Sequence, residues 1–251
     1  MNDKVGEIKY NNFGSKMVIT NYKRWNDVTI YFPEYDWYFE NGIYQHFQTG
    51  NIKCPYERRL FNKGYIGEGE FDYNSDGIKY WIHMIKRVYD KHEHEKHPTY
   101  IGAKLYEPWH CFQDFGYWHK ENYYTIPNET MELDKDILYK GNKLYSPNSC
   151  IYVPHRINSL FTKSNAKRGN YPIGVTYHKR DDIYEAKLSF LNENNKKDRI
   201  YLGRYNTPKE AFQSYKVAKE KYIKQVADEY KLYIPKELYD AMYRYEVEID
   251  D

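Results

Sequence analysis

The amino-acid sequence predicts an α+β fold in three parts, because strand-like and helix-like patterns fall in separate blocks along its 251 residues. Short β-branched and aromatic runs predict a small β-rich module over residues 1–74. Apolar residues at helical spacing open a mixed central domain, residues 75–165. Three alternating runs and one long helical pattern then predict a three-stranded sheet packed on one helix over residues 166–251.

The composition indicates cores built largely from aromatic side chains. Hydrophobic residues make up 41% of the sequence and aromatic residues 19%, with 31 tyrosines. Tyrosine has an apolar ring and a polar tip, so it fills small cores and also stacks on bases or bonds phosphates. The formal net charge is only +2, which excludes a polycation and restricts any nucleic-acid contact to local basic patches.

The cysteine pattern and the absence of long apolar runs indicate the compartment. The three cysteines, Cys54, Cys111 and Cys150, lie far apart without a CxxC motif, which favours a reducing compartment over a disulfide framework. No apolar run approaches the ~18 residues of a membrane span. The N-terminus MNDKVGEIKY lacks the pattern of a signal peptide. We therefore expect a soluble cytoplasmic protein with no membrane partner.

The first segment, residues 1–74, carries two strand-like runs, KMVITNY and DVTIYF, separated by KRWN. Several glycines follow and indicate tight turns. Short strands joined by tight turns predict a small barrel or rolled sheet. No residue pattern in this segment indicates catalysis.

The central segment, residues 75–165, opens with IKYWIHMIKRVYD, in which apolar residues recur at helical spacing. Further helices are predicted over PWHCFQDFGYWHKENY and HRINSLFTKSN. Between these two helices, LDKD ends an apolar run, a turn rich in Gly, Asn and Pro follows, and IYVP leads into the last helix. This order of an acidic strand end, a turn and a helix is the layout of a small one-metal nuclease finger.

The last segment, residues 166–251, contains the strand-like runs GVTYHK, YEAKLSFL and RIYLGRYN, with the polar hairpin loop NENNKKD before the third run. A long helix is predicted to follow Thr207, a good N-cap, with Pro208 in its first turn and Glu210 completing a capping box. Alternate residues of the middle strand lie on the face that this helix covers. They are Tyr184, Ala186, Leu188 and Phe190.

The opposite face of this sheet is predicted to be basic. Residues 164–204 contain nine Lys and Arg against five Asp and Glu. A small sheet fits the ~12 Å major groove of DNA, where Arg and Lys contact guanine edges or phosphates. The candidate DNA-binding residues are Lys179, Arg180, Tyr184, Lys187, Arg199, Tyr201 and Arg204. The alternative is an ordinary solvated sheet face.

The runs IGVTYHKRDDIYEAKLSF and YLGRYNTPKEAFQSYKVA, with the spacing between them, resemble the ethylene-response-factor (Apetala) type of DNA-binding domain. That domain also occurs in phage homing endonucleases. The resemblance implies double-stranded DNA as the partner. Where the family has a Trp and an Arg on its reading strand, this chain has Tyr184 and Lys187, which leaves the preferred DNA sequence open.

The finger and the first central helix resemble phage HNH-type endonucleases with a ββα-metal fold. The helix carries the pattern W-x-x-M-x-x-R-x-Y from Trp81 to Tyr89, and the finger matches as LDKD, a turn, YSPNSCIYVP and RIN. The resemblance implies one Mg²⁺ or Mn²⁺ ion, held by Asp134 and Asn158, which stabilises the scissile phosphate and the leaving oxygen. Ser149 falls where that family has an asparagine that pins the loop.

Lys135 stands where that family has its histidine base. Lysine has a reference pKa of ~10.4 and is a poor base near neutrality, so we interpret Lys135 as a phosphate clamp. His155, shortly before Asn158, is the candidate for a replacement base. The alternative is that Asp134 and Asn158 are ordinary turn and cap residues.

Together the two resemblances imply a phage-encoded DNA-binding endonuclease that cleaves or nicks double-stranded DNA in the host cell cytoplasm. Lys135 favours one alternative, a catalytically inactive, HNH-derived DNA-binding or regulatory phage protein. Another alternative is a phage protein that binds a host factor through its aromatic surface.

Overall fold

The computed structural model describes residues 4–162 and 171–249. Helices and strands are mixed, and the strands form several small sheets, so the predicted α+β class is confirmed. The chain divides into two compact units, Met1–Glu121 and Asn122–Asp251. Over the described ranges, no helix is both long enough and apolar enough to cross a membrane.

The first unit begins with an antiparallel sheet whose four strands follow sequence order. The strands are β1 (Ile8–Tyr10), β2 (Lys16–Arg24), β3 (Asp27–Phe32) and β4 (Trp37–Gly42), and the short helix α1 (Tyr44–Gln48) follows them. Alternate residues of β3 are buried because successive side chains of a strand point to opposite faces. Apolar side chains of β2 and β3 pack against Phe47 and form a small core.

Two aromatic helices follow, as the helical spacing predicts. They are α2 (Ile78–Tyr89) and α4 (Phe112–Asn122), separated by the short helix α3 (Lys91–Lys96), the 3₁₀ turns Pro98–Tyr100 and Glu107–His110, and the two-residue strand β5 (Lys104–Leu105). Trp81 is buried, and its indole N–H donates to the carbonyl of Trp109 at 2.7 Å. The buried Gln113 amide bonds the backbone of Ile66 and Phe71 and so anchors the loop before α2.

The second unit contains the finger and the C-terminal sheet. The finger consists of β6 (Met131–Asp134), β7 (Leu144–Tyr145), β8 (Ile151–Pro154) and α5 (His155–Phe161), and β6 pairs antiparallel with β8. The sheet consists of β9 (Val175–His178), β10 (Ile183–Leu191) and β11 (Lys197–Tyr205), with β10 in the middle and all pairs antiparallel. Helices α6 (Pro208–Tyr230) and α7 (Lys236–Arg244) complete the unit.

The finger and the C-terminal sheet share one hydrophobic core. Val153 of the finger belongs to the same buried cluster as Leu188 of β10 and Ile223 of α6. The split after residue 121 therefore differs from the three predicted segments, because the finger joins the C-terminal sheet instead of the preceding helices. The predicted boundary after residue 165, and the end of the predicted third helix at Asn165, lie outside the described residues.

Helix α6 begins where the capping pattern predicts. The Thr207 hydroxyl accepts the backbone N–H of Glu210, and the Glu210 carboxylate accepts the N–H of Thr207, each at 3.2 Å. The helix packs on the sheet through its buried face, which includes Ala211, Tyr215 and Tyr222.

Replacement of Thr207 by Ala should lower the free energy of unfolding by about 1 kcal/mol, because the Glu210 N–H loses its acceptor. Urea unfolding followed by circular dichroism measures this change. Thr207→Ser keeps the capping oxygen and should match the wild type. An equal loss in both variants would show that the hydroxyl cap is not the source.

Candidate functional site

The register of the C-terminal sheet places polar and basic side chains from three strands on one surface. Residues paired across antiparallel strands point to the same side of a sheet. On β10 and β11 the pairs are Glu185 with Arg204, Lys187 with Tyr201, and Ser189 with Arg199, and on β9 Thr176 faces Glu185. We call this surface the open face. Its residues are Thr176, His178, Glu185, Lys187, Ser189, Arg199, Tyr201 and Arg204.

A β-bulge in β11 brings Tyr201 and Arg204 to the same side. Ala186 pairs with Gly203, whereas Lys187 pairs with Tyr201, so Leu202 is an extra residue on β11. Gly203 has a φ of +128°, in the region that favours glycine. Without the extra residue, Tyr201 and Arg204 would point to opposite faces, because they are three positions apart.

Glu185 organises the basic side chains of the open face. Its carboxylate accepts a hydrogen bond from the Lys187 ammonium, lies 3.0 Å from Nε2 of His178 and 3.7 Å from Nε of Arg204. The hydrogen bond from Lys187 lowers the pKa of Glu185, followed by the bond from His178. The carboxylate therefore stays ionised, and it holds the Lys187 and Arg204 side chains near the middle of the sheet.

The remaining basic side chains are exposed and flank this centre. Arg199 is exposed, and the aromatic side chain of Tyr201, on the same face of β11, is 54% exposed. Lys179 and Arg180 are exposed in the turn between β9 and β10, at one end of the sheet. The structure therefore brings six of the seven predicted DNA-binding residues to the open face or to the turn that adjoins it. Lys167 and Arg168, which contribute to the predicted basic balance, lie outside the described residues.

Tyr184 is the exception: it lies on the side that the alternation of β10 predicts for the helix, so its assignment as a DNA-binding residue of the open face is corrected. It pairs with Tyr177 on β9 and Tyr205 on β11, so the three residues share one side of the sheet. That side is the one on which Leu188 packs with the buried residues of α6. The centre of the Tyr184 ring lies 5.0 Å from that of the Tyr177 ring, and both rings contact Tyr171.

In the finger, the side chains of His155 and Asn158 meet on Glu132. Nδ1 of His155 lies 2.6 Å from one carboxylate oxygen of Glu132, and the Asn158 amide donates to the other. Glu132 lies opposite Val153 in the β6–β8 pair. Val153 is two residues before His155, the first residue of α5. We call Glu132, His155 and Asn158 the Glu132 cluster. The His155 side chain is 47% exposed, so the cluster is open to solvent. Sequence reasoning missed Glu132, although it shares a face with Asp134 two residues later.

Asp134 serves the turn that follows β6. Its Oδ1 accepts the backbone N–H groups of Asp136 and Ile137, each at 2.7 Å. Burial and then the Asp136 charge raise its pKa to about 6. These contacts match the alternative of an ordinary turn residue, and neither predicted partner, Asn158 nor His155, has a hydrogen bond to Asp134 among the contacts of the described residues.

Lys135 is buried, with 8% of its side chain exposed. Its ammonium lies 3.0 Å from Asp136 and 5.7 Å from the centre of the Tyr145 ring. A phosphate clamp must be accessible to the DNA backbone, and in this arrangement the charge of Lys135 is already paired inside the finger. The interpretation of Lys135 as a phosphate clamp, or as a base, is therefore at odds with its position.

Two polar side chains pin the long loop between β6 and β8. The Ser149 hydroxyl donates to the carbonyl of Leu144 at 2.7 Å, at the place where the resemblance implies a pinning asparagine. The side-chain amide of Asn142 pins the loop as well, because it donates to the carbonyls of Lys135 and Leu144. The loop is thus held from both sides without a metal ligand.

Within residues 4–162 and 171–249, no group of three or more His, Cys, Asp and Glu side chains is arranged to hold a metal ion. No protein-family model, curated protein or solved structure matches this chain. The likeness to HNH-type endonucleases and to the ethylene-response-factor domain therefore stays a prediction. The functional interpretation depends on the open face and on the Glu132 cluster.

Proposed function

We propose that this chain binds double-stranded DNA through the open face of its C-terminal sheet. The observation that carries the proposal is the alignment of Lys187, Arg199 and Arg204 on one exposed surface, with Tyr201 between them. A two- or three-stranded sheet enters the major groove, and arginine contacts guanine edges or phosphates there. The net charge of the whole chain is small, so this local surface supplies the attraction.

Basic side chains also lie at both ends of β10. Lys179 and Arg180 occupy the turn before it, and Lys196 and Lys197 lie at the hairpin after it. Nine residues of extended strand span roughly 30 Å, which is close to one turn of B-DNA at ~34 Å. This spacing supports a model in which the ends of the sheet contact phosphates and its centre contacts base edges.

Arg199→Ala and Arg204→Ala are each expected to weaken binding to a short duplex about tenfold, or ~1.4 kcal/mol. A lost phosphate contact should also reduce the slope of log K against log salt by ~0.9. Fluorescence anisotropy at several salt concentrations measures both quantities. Lys224→Ala removes one exposed positive charge from α6 and is the matched control.

The control should change affinity less than about twofold, because Lys224 is not part of the open face. Equal losses in all three variants would mean that only total charge matters. Salt-independent binding would instead favour a protein partner, since phosphate contacts release counterions.

Metal-dependent cleavage of the bound DNA is a second candidate function, and the Glu132 cluster favours it. The carboxylate of Glu132 and the amide of Asn158 lie in contact and carry two oxygen donors of the kind that Mg²⁺ and Mn²⁺ prefer, and these two residues would hold one divalent ion. Such an ion would stabilise charge on the scissile phosphate and the leaving oxygen. His155, oriented by Glu132, would accept the proton from the attacking water. In this proposal Glu132 takes the ligand role that the resemblance gives to Asp134.

A further inference from the structure

A cavity of about 680 Å³ lies within the second unit, at the edge of the C-terminal sheet. Pairing of β9 with β10 ends at Val175 and Ala186, so the next residues of β10 border the cavity instead of a strand. The last turn of α5, the segment 171–177 and helix α6 form its other walls. Its size is that of a pocket for a small organic ligand.

Lys219 of α6 lines this cavity and is 7% exposed. It lies four residues after Tyr215 and four before Ile223, on the helix face that packs on the core. Among the described residues its ammonium has no hydrogen bond or ion pair, and burial lowers its pKa to about 8. A buried ammonium is costly unless an anion or acceptor compensates it.

The rest of the described lining is suited to an anion. Arg199 reaches the cavity from the sheet, as does Lys187, whose ammonium also bonds Glu185, and the hydroxyls of Ser159, Thr162 and Ser189 supply donors. No Asp or Glu is among the described lining residues. Cations and hydroxyl donors around a cavity without a carboxylate recognise oxyanions, above all phosphate.

We propose that this cavity is a phosphate-binding site in which Lys219 supplies the buried charge. Lys187 and Arg199 complete the positive lining, and the volume leaves room for the group esterified to the phosphate. The phosphate belongs either to a free phosphate ester or to the backbone of bound DNA. The inference goes beyond the proposed function and does not require that the open face bind DNA.

Thermal unfolding of the full chain in inorganic phosphate tests this site, with potassium chloride of equal ionic strength as the reference. Wild-type protein should gain about 5–10 °C at a phosphate concentration 100 times the dissociation constant. Lys219→Met should lose this gain, and Lys219→Arg should retain part of it. No phosphate-dependent gain in the wild type, or an equal gain in Lys219→Met, would overturn the proposal.

Lys219→Met also separates loss of the site from loss of the fold. Methionine has a similar length without the charge, so the variant should unfold at or above the wild-type temperature in chloride. A large drop in chloride would show that the ammonium is a structural contact, and the proposal would then be wrong.

Two further measurements identify the source of the phosphate, and either result supports the site. A nucleoside 5′-monophosphate, compared with its nucleoside, should raise the unfolding temperature of the wild type if the ligand is a free ester. If the ligand is a backbone phosphate, Lys219→Met should lower the salt slope of duplex binding by ~0.9. Failure of Arg204→Ala to affect DNA binding would refute the open-face proposal and leave the cavity unaffected.

Discussion

Replacement of Glu132 by Gln is expected to abolish the proposed metal-dependent nicking of supercoiled DNA, with a rate loss of at least about 100-fold. Glutamine has nearly the same shape but no charge, so it holds a divalent ion poorly. It also weakens the hydrogen bond that orients His155, whose Nδ1 lies 2.6 Å from the Glu132 carboxylate, because an amide oxygen carries no full charge. Plasmid nicking by purified protein with Mg²⁺ or Mn²⁺, and with EDTA as the blank, measures the effect.

The matched control is Asp134→Asn. The amide oxygen of the introduced side chain would still accept the two backbone N–H groups that hold the turn, so the fold should persist. Nicking should then change less than about tenfold. The opposite outcome, loss of nicking in Asp134→Asn and its survival in Glu132→Gln, would return the ligand role to Asp134.

The nicking assay on the wild-type protein distinguishes a finger that cleaves DNA from a finger that only supports DNA binding. Nicking that depends on the divalent ion and on Glu132 would show a working finger without a histidine at position 135. The alternative result is that the protein retains DNA in a gel in a salt-sensitive way and does not nick it. The Glu132 cluster would then have only the structural role of joining β6 to α5. His155→Ala should then leave DNA affinity unchanged.

Replacement of Arg156 by Leu is expected to lower the free energy of unfolding of the second unit by about 2–3 kcal/mol. Arg156 is buried and joins three elements. Its guanidinium bonds the carbonyl of Leu191 at 3.2 Å, the hydroxyl of Tyr222 at 3.3 Å and the carboxylate of Glu229 at 2.7 Å. Leucine fills part of the volume but makes none of these bonds.

The expected loss is below that of a fully buried ion pair, because Glu229 is 39% exposed and water can solvate it. Urea unfolding followed by circular dichroism measures the change. Arg244→Leu, on the exposed side of α7, is the control and should stay within about 0.5 kcal/mol of the wild type. Similar stability of both variants would show that Arg156 is not what joins α5 to the sheet and α6.

Local patterns were sufficient to predict the regular elements that bury one face. The spacing of apolar residues predicts α2, and the capping residues around Thr207 predict the start of α6, because both depend on neighbours within one or two turns. Alternation in β10 likewise separates Leu188 from Lys187 without knowledge of the fold. The prediction nevertheless assigned Tyr184 to both faces, and its alternation with Ala186 places it on the helix side.

Two features of the candidate sites depend on contacts between residues distant in sequence. The β6–β8 register sets Glu132, not Asp134, against His155 and Asn158. A bulge at Leu202 turns Tyr201 onto the side of Arg204. Spacing along the chain contains neither register nor bulges, so the sequence identifies the residue types of the finger but not the carboxylate at its centre.

The sequence by itself therefore determined the α+β class, the main helices and the basic character of the last sheet, since these follow from local periodicity and charge. Only the tertiary structure decided which side chains meet. It brought Glu132 to His155 and Asn158 in the finger and left Lys219 without a partner among the described residues. Burial and pairing are properties of packed surfaces, and packing brings together residues that the chain order keeps apart.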